Sequence, residues 1–176
     1  MQDFKPFPWQ QVVVNEINEN EDKIGSESMQ SLPIYERNKR SRIHVSFPRG
    51  SGHTALASYL SYCYPSTVIF FDLNHYRELE FYYKDITGQT FPPDSNDKTS
   101  KIKFISVYEI YHDMTTSNRG SVSLSGLDKD KSKFSCTSSG DKRVVIIDHV
   151  TTLLEIHPEI VDWVFQVADG PIVMLG

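Results

Sequence analysis

The segment Ser46-Phe-Pro-Arg-Gly-Ser-Gly-His-Thr54 carries the residue types that bind phosphate. Small residues let backbone N–H groups close on phosphate oxygens, and a helix starting at the end of such a loop adds partial positive charge. Against the pattern G-x-x-x-x-G-K-[ST], Gly52 and Thr54 fit, Phe47 stands where the first glycine belongs, and His53 replaces the lysine. The candidate phosphate contacts are therefore Arg49, Gly50, Ser51, Gly52, His53 and Thr54. An ordinary glycine turn would contain the same residues, so the segment alone does not decide. Further on, Val144-Val-Ile-Ile-Asp148 ends an apolar run on a carboxylate. Such a carboxylate can help hold Mg2+, with the Thr54 hydroxyl on the other side. An aspartate there is also a common turn or helix cap. The order of the two segments, with two more strand candidates between them, favours a nucleotide fold.

The substitution at position 53 changes the chemistry. Lysine is a permanent cation, whereas imidazole is shorter and titrates near pH 6.5. Bound phosphate would favour the charged form of His53, and Arg49 offers a second positive charge. Other schemes find less support. His44, His75, His112 and His157 lack metal-ligand spacing and read as surface or packed histidines. There is no G-x-S-x-G elbow. Glu78, Glu80 and Asp85 read as a solvated helix face. Cys63 and Cys136 have no C-x-x-C spacing and read as separate thiols in a reducing compartment.

These groups need elements to hold them. Ile43, Val45 and Phe47 alternate with His44 and Ser46, which predicts a strand. The glycine turn leads into a helix with Leu56, Tyr59, Leu60 and Cys63 on one face, ending at Pro65. Thr67-Val-Ile-Phe-Phe-Asp-Leu has the continuous apolar character of a strand buried on both faces. The pattern then predicts a helix over Tyr76–Tyr83, a loop over Gly88–Ser100 and a strand over Ile102–Ile110. Residues 115–141 are rich in Ser, Gly, Lys, Asp and Thr, and read as a flexible insertion. Val144–Asp148 is the clearest strand. His157-Pro158 opens a last helix that buries Ile160, Val161, Val164, Phe165 and Ala168, and Pro171–Gly176 is a last strand. At the start, Pro8 suits the first turn of a short helix to about Ile17, and polar, acidic Asn18–Ser31 reads as a loop. Alternating strands and helices predict a single α/β domain over residues 1–176, three-layered, with a largely parallel sheet.

Composition bounds the function. The 176 residues are 39% apolar and 12% aromatic, enough for a core, and the net charge is −5. A protein that coats nucleic acid needs a basic face. Lys39, Arg40 and Arg42, and Lys129, Lys131 and Lys133, are local basic runs that read as a solvated edge and loop, leaving only weak nucleic-acid contact open. The start has no apolar leader, and no apolar run could cross a bilayer, so the expectation is a cytoplasmic protein with no membrane partner.

Taken in order, the motifs resemble those of P-loop NTPases, in particular the ATPase domains of phage terminase large subunits and superfamily 2 helicases. Phe4-Lys-Pro-Phe-Pro-Trp9-Gln10 resembles the adenine-reading glutamine motif, since an amide can donate to and accept from adenine's edge. Trp9 and Phe7 also read as core anchors. Arg49 lies three residues before the last loop glycine, as in the terminase variant where an arginine acts on the γ-phosphate. Pro171–Gly176 resembles the strand that leads into a coupling motif, without its Ser/Thr. The resemblance implies ATP and Mg2+ as cofactors, Trp9 and Gln10 on the base, Thr54 and Asp148 on the metal, and a motor or packaging protein as partner, in a host cytoplasm. His149 departs from it, standing where the pattern places the glutamate that polarises water; Glu109 is the candidate to take over. Arg49, Glu109 and His149 are thus the catalytic candidates, and weak or absent ATP hydrolysis is the expectation. A pseudo-ATPase kept as a protein-interaction module, or a motor domain cut short at Gly176, are the alternatives.

Overall fold

A computed structural model describes residues 6–46, 48, 50–91, 101–116, 134 and 142–176. Among them, the apolar runs form one sheet of five parallel strands: β1 (Ile43–Val45), β2 (Ser66–Phe70), β3 (Ile102–Ser106), β4 (Val144–Ile147) and β5 (Ile172–Leu175). The order is β1-β5-β4-β2-β3. Burial explains it: every residue of β4 and β5, and all but the last of β2, is buried, as strands covered on both faces must be. Registers run Val68↔Ile146, Ile146↔Val173 and Val68↔Phe104 across the middle.

The alternation of side chains divides the core in two. Val68, Phe104, Val144, Ile146, Val173 and Leu175 face α4 (His53–Cys63), α5 (Leu73–Thr87) and α1 (Pro8–Gly25). Ile69, Ile105, Val145, Ile147, Ile172 and Met174 face α6 (Val107–Thr116), α7 (Val150–Ile156) and α8 (Pro158–Val167). The chain is a three-layer α/β domain with an all-parallel sheet among the described residues. Crossovers running from β1 towards β3 put their helices on one face, and the returning ones use the other.

Several boundaries differ from expectation. α1 continues to Gly25 because Gln10, Val13, Ile17, Asn20 and Ile24 form one buried stripe. The segment expected to be a loop therefore holds most of α1 and the short α2 (Glu27–Gln30). The basic run Lys39-Arg40 ends α3 (Ile34–Ser41), which docks through Asn38, whose amide donates to the carbonyls of Phe165 (2.9 Å) and Ala168 (2.7 Å) at the end of α8. The expected strand over Ile102–Ile110 is a strand only to Ser106, after which α6 begins. Of the expected insertion, Thr115 and Thr116 belong to α6, and Phe134 is buried with its ring 5.1 Å from that of Trp163. The rest of 115–141, with Lys129, Lys131, Lys133 and Cys136, and also Phe47 and Arg49, lie outside the described residues. No described helix is long and apolar enough to cross a membrane.

Candidate functional site

In open α/β sheets, ligands bind beyond the carboxyl ends of the strands, where neighbouring connections leave to opposite faces. Here β1 leads to α4 on one face and β4 leads to α7 on the other, with β5 between them. A cleft of about 710 Å³ opens at that place. Gly50, Gly52, His53 and Thr54 form one wall, and Asp148 and His149 face them. The two segments singled out in the sequence thus share one cavity.

The loop wall is shaped by two glycines in the left-handed region, Gly50 at φ 82° and Gly52 at φ 89°, where L side chains are strained. Gly52 caps α4 with no side chain bonded to the helix end. Helix geometry leaves the first amides of α4 without an intrahelical acceptor, and they open on an anion-binding position. Thr54 stands in that first turn and lines the cleft. His53 is steadied by Ser51, whose Oγ lies 3.2 Å from Nε2, and by the edge of Trp9 at 5.7 Å between ring centroids. Burial lowers the pKa of His53 below its ordinary value; the Asp148 charge opposes this and His149 adds to it. The imidazole that replaces lysine is therefore neutral at pH 7 in the empty cleft.

Gln10 is buried and does not line the cleft. Its Oε1 accepts from the Phe7 amide (2.9 Å), and its Nε2 donates to the Gly52 carbonyl (3.3 Å). It braces the loop from behind, and Trp9 likewise packs on His53 away from the cavity. Glu109 caps α6: its Oε2 accepts from the Ser106 amide (2.7 Å) and hydroxyl (2.9 Å), while Ser106 Oγ accepts from the Glu109 amide (3.0 Å). That is a capping box at the end of edge strand β3, with β2 between it and β4, and Glu109 does not reach the cleft. Glu78, expected on a solvated face, stands at the cleft wall.

Asp148 is 1% exposed. Burial by itself would raise its pKa, but hydrogen bonds from His149 and His75 and their charges outweigh it, and the carboxyl is held well below the usual range. Its Oδ1 accepts from the His149 amide (2.9 Å), with His149 Nδ1 at 3.5 Å, and its Oδ2 lies 3.0 Å from His75 Nε2. His75 sits in the first turn of α5, capped by Asp72, and its Nδ1 accepts from the Phe71 amide (3.2 Å). A neutral ring in that setting carries its proton on Nε2 and donates to Asp148. His149 has φ 59°, the one positive φ among the described non-glycine residues, at a cost of about 1 kcal/mol. Its ring is half exposed to the cleft and 4.4 Å from that of His75. Sequence spacing could not reveal His75, because it comes from a different strand–helix junction.

Mg2+ prefers oxygen ligands in a regular octahedron. Thr54 and Asp148 do line the same cleft, but both Asp148 oxygens already accept hydrogen bonds and its nearest neighbours are two imidazoles. This donor set does not fit Mg2+ held directly. No protein-family model matches the chain, and no curated protein or solved structure is similar to it.

Proposed function

We propose that the chain is an ATP-binding domain of the P-loop kind, related to DNA-packaging or helicase motors, that hydrolyses ATP weakly or not at all. The observation that carries this reading is the convergence of the left-handed glycine loop and the Asp148–His149 corner on one cleft at the switch point of the sheet. The amides of the first turn of α4 would hold the phosphates, and His53, once an anion is bound, would become the charged contact. His149 is placed on the opposite wall, where it could orient a water molecule. Within the described residues no carboxylate base other than Asp148, Glu78 and Glu155 lines the cavity.

The second reading, a pseudo-ATPase that serves as a protein-interaction module, is favoured by the charge of the same cavity. Its described charged residues are the carboxylates Glu78, Asp148 and Glu155, with no described lysine or arginine. Such a wall repels a triphosphate and weakens any binding.

Thermal unfolding with ATP separates them. With a Kd of about 0.5 mM, 5 mM ATP gives roughly 1.4 kcal/mol and raises Tm by about 3–6 °C. Calorimetric titration, with and without Mg2+, checks that the shift is binding. A flat Tm up to millimolar ATP overturns the nucleotide reading and leaves the interaction module.

A further inference from the structure

We propose that His75, Asp148 and His149 together bind one borderline transition-metal ion of the Zn2+ or Co2+ class at the floor of the cleft. This goes beyond the nucleotide reading and does not depend on it, because it needs no phosphate ligand.

The donor geometry carries the inference. His75 Nε2 lies 3.0 Å from Asp148 Oδ2, His149 Nδ1 lies 3.5 Å from Asp148 Oδ1, and one ligand atom from each residue falls within 4.8 Å of the others. Two donors about 2.1 Å from a zinc ion sit roughly 3–4 Å apart, so the carboxylate is already at coordinating distance from both rings. His149, half exposed, is free to close the remaining gap. Two imidazoles and one carboxylate, with open positions towards solvent, are a donor set for Zn2+, Co2+ or Fe2+, whereas Mg2+ and Ca2+ take oxygen. Glu78 and Glu155 on the cleft walls draw cations towards the place.

Two features fit a site rather than an accidental cluster. His149 is held in a left-handed conformation that a histidine does not prefer, and this turns its ring beside Asp148. Asp148 and His75 are both buried, at 1% and 6% exposure, so two donors are preorganised at low conformational cost. Without the ion, the Nε2 proton of His75 occupies the coordinating direction. Metal binding displaces that proton to Nδ1, which then faces the Phe71 amide, so the ring gives up the Phe71 hydrogen bond. The exchange costs one neutral hydrogen bond, about 1 kcal/mol, and this is small against coordination.

The test uses the whole chain, treated with chelator and then titrated with ZnCl2 by calorimetry and with CoCl2 by visible absorption, no nucleotide present. The expected result is one Zn2+ per chain, a d–d spectrum of low-coordinate Co2+, and a displaced Phe71 amide resonance on metal addition. Mg2+ at the same concentration should produce none of these. His149→Gly removes one ligand while keeping the left-handed backbone at ease. It should weaken Zn2+ binding by about a hundredfold, since loss of even an outer partner costs roughly 10–100-fold. His157→Gln, which breaks the separate His157–Glu159 pair (3.0 Å), should leave binding unchanged. The proposal is overturned if Zn2+ does not bind, if His149→Gly binds as tightly as the native chain, if His157→Gln abolishes the signal, or if Mg2+ competes equally. Loss of ATP binding with Zn2+ binding intact would sink only the nucleotide reading.

Discussion

Gln10 offers the sharpest separation between a base-reading role and a bracing role. Replacing it by alanine removes the bond to the Phe7 amide and the longer, weaker one to the Gly52 carbonyl. Two neutral hydrogen bonds contribute about 1 kcal/mol each, and the lost buried methylene about 0.8 kcal/mol. Against this, the variant no longer orders a glutamine side chain, which returns roughly 1.5 kcal/mol. The net loss is about 1.5 kcal/mol, or a Tm lower by about 3–6 °C in a chain of this size. Gln10→Glu should be no better, because a carboxylate keeps the acceptor for Phe7 but turns a second acceptor towards the Gly52 carbonyl. Urea unfolding gives the stabilities, and competition titrations give the ATP/GTP affinity ratio. Because the amide points at the loop, that ratio should stay the same while affinity for both nucleotides falls as the loop loosens. A Gln10→Ala variant with native stability, or with a changed ATP/GTP ratio, refutes the bracing account and returns Gln10 to the base.

Three further outcomes are expected. Asp148 has a folded-state pKa below its unfolded value of about 3.9, so its stabilisation is full above that value and is lost as pH falls below it; the urea midpoint of the native chain should exceed that of Asp148→Asn most at pH 6, and the gap should shrink below pH 4. His53→Lys replaces a ring kept neutral by burial with a permanent cation, so calorimetry at pH 7.5 should show ATP bound about tenfold tighter, about 1.4 kcal/mol, and native binding alone should strengthen as pH falls towards 6. Gly170→Ala would put a Cβ 2.2 Å from the Arg143 carbonyl oxygen, a backbone atom fixed beside β4; the variant should lose upwards of ~3 kcal/mol in urea or fail to fold, and a near-native midpoint would show that the approach of β5 to β4 is looser than drawn.

The strands were legible wherever burial on both faces leaves an unbroken apolar run, as in Val144–Ile147 and Val68–Phe70. Helix ends were less so. The stripe of α1 passes through Asn20, a polar residue buried at 5%, so the polar stretch around it hid a continuing helix. Val107 to Ile110 alternates like a strand, but Ser106 and Glu109 have the spacing of a capping box, a start signal that outweighs the alternation. The pairing of loop and Asp148 followed from order along the chain. The partnership of Asp148 with His75 did not, because it depends on β2 lying beside β4, and only the sheet order supplies that.

The neighbour of β1 has a consequence in time. Ile43 pairs with Val173, and among the described strands β5 alone borders β1. At roughly 5–20 residues per second, a growing chain makes the glycine loop on the order of ten seconds before the strand that anchors it to the sheet. Until then the early segment has no edge to join, and closing so long a span is slow. Removing the few residues from Ile172 onward should therefore leave no half-working remnant: the cleft arrives last and complete, or not at all.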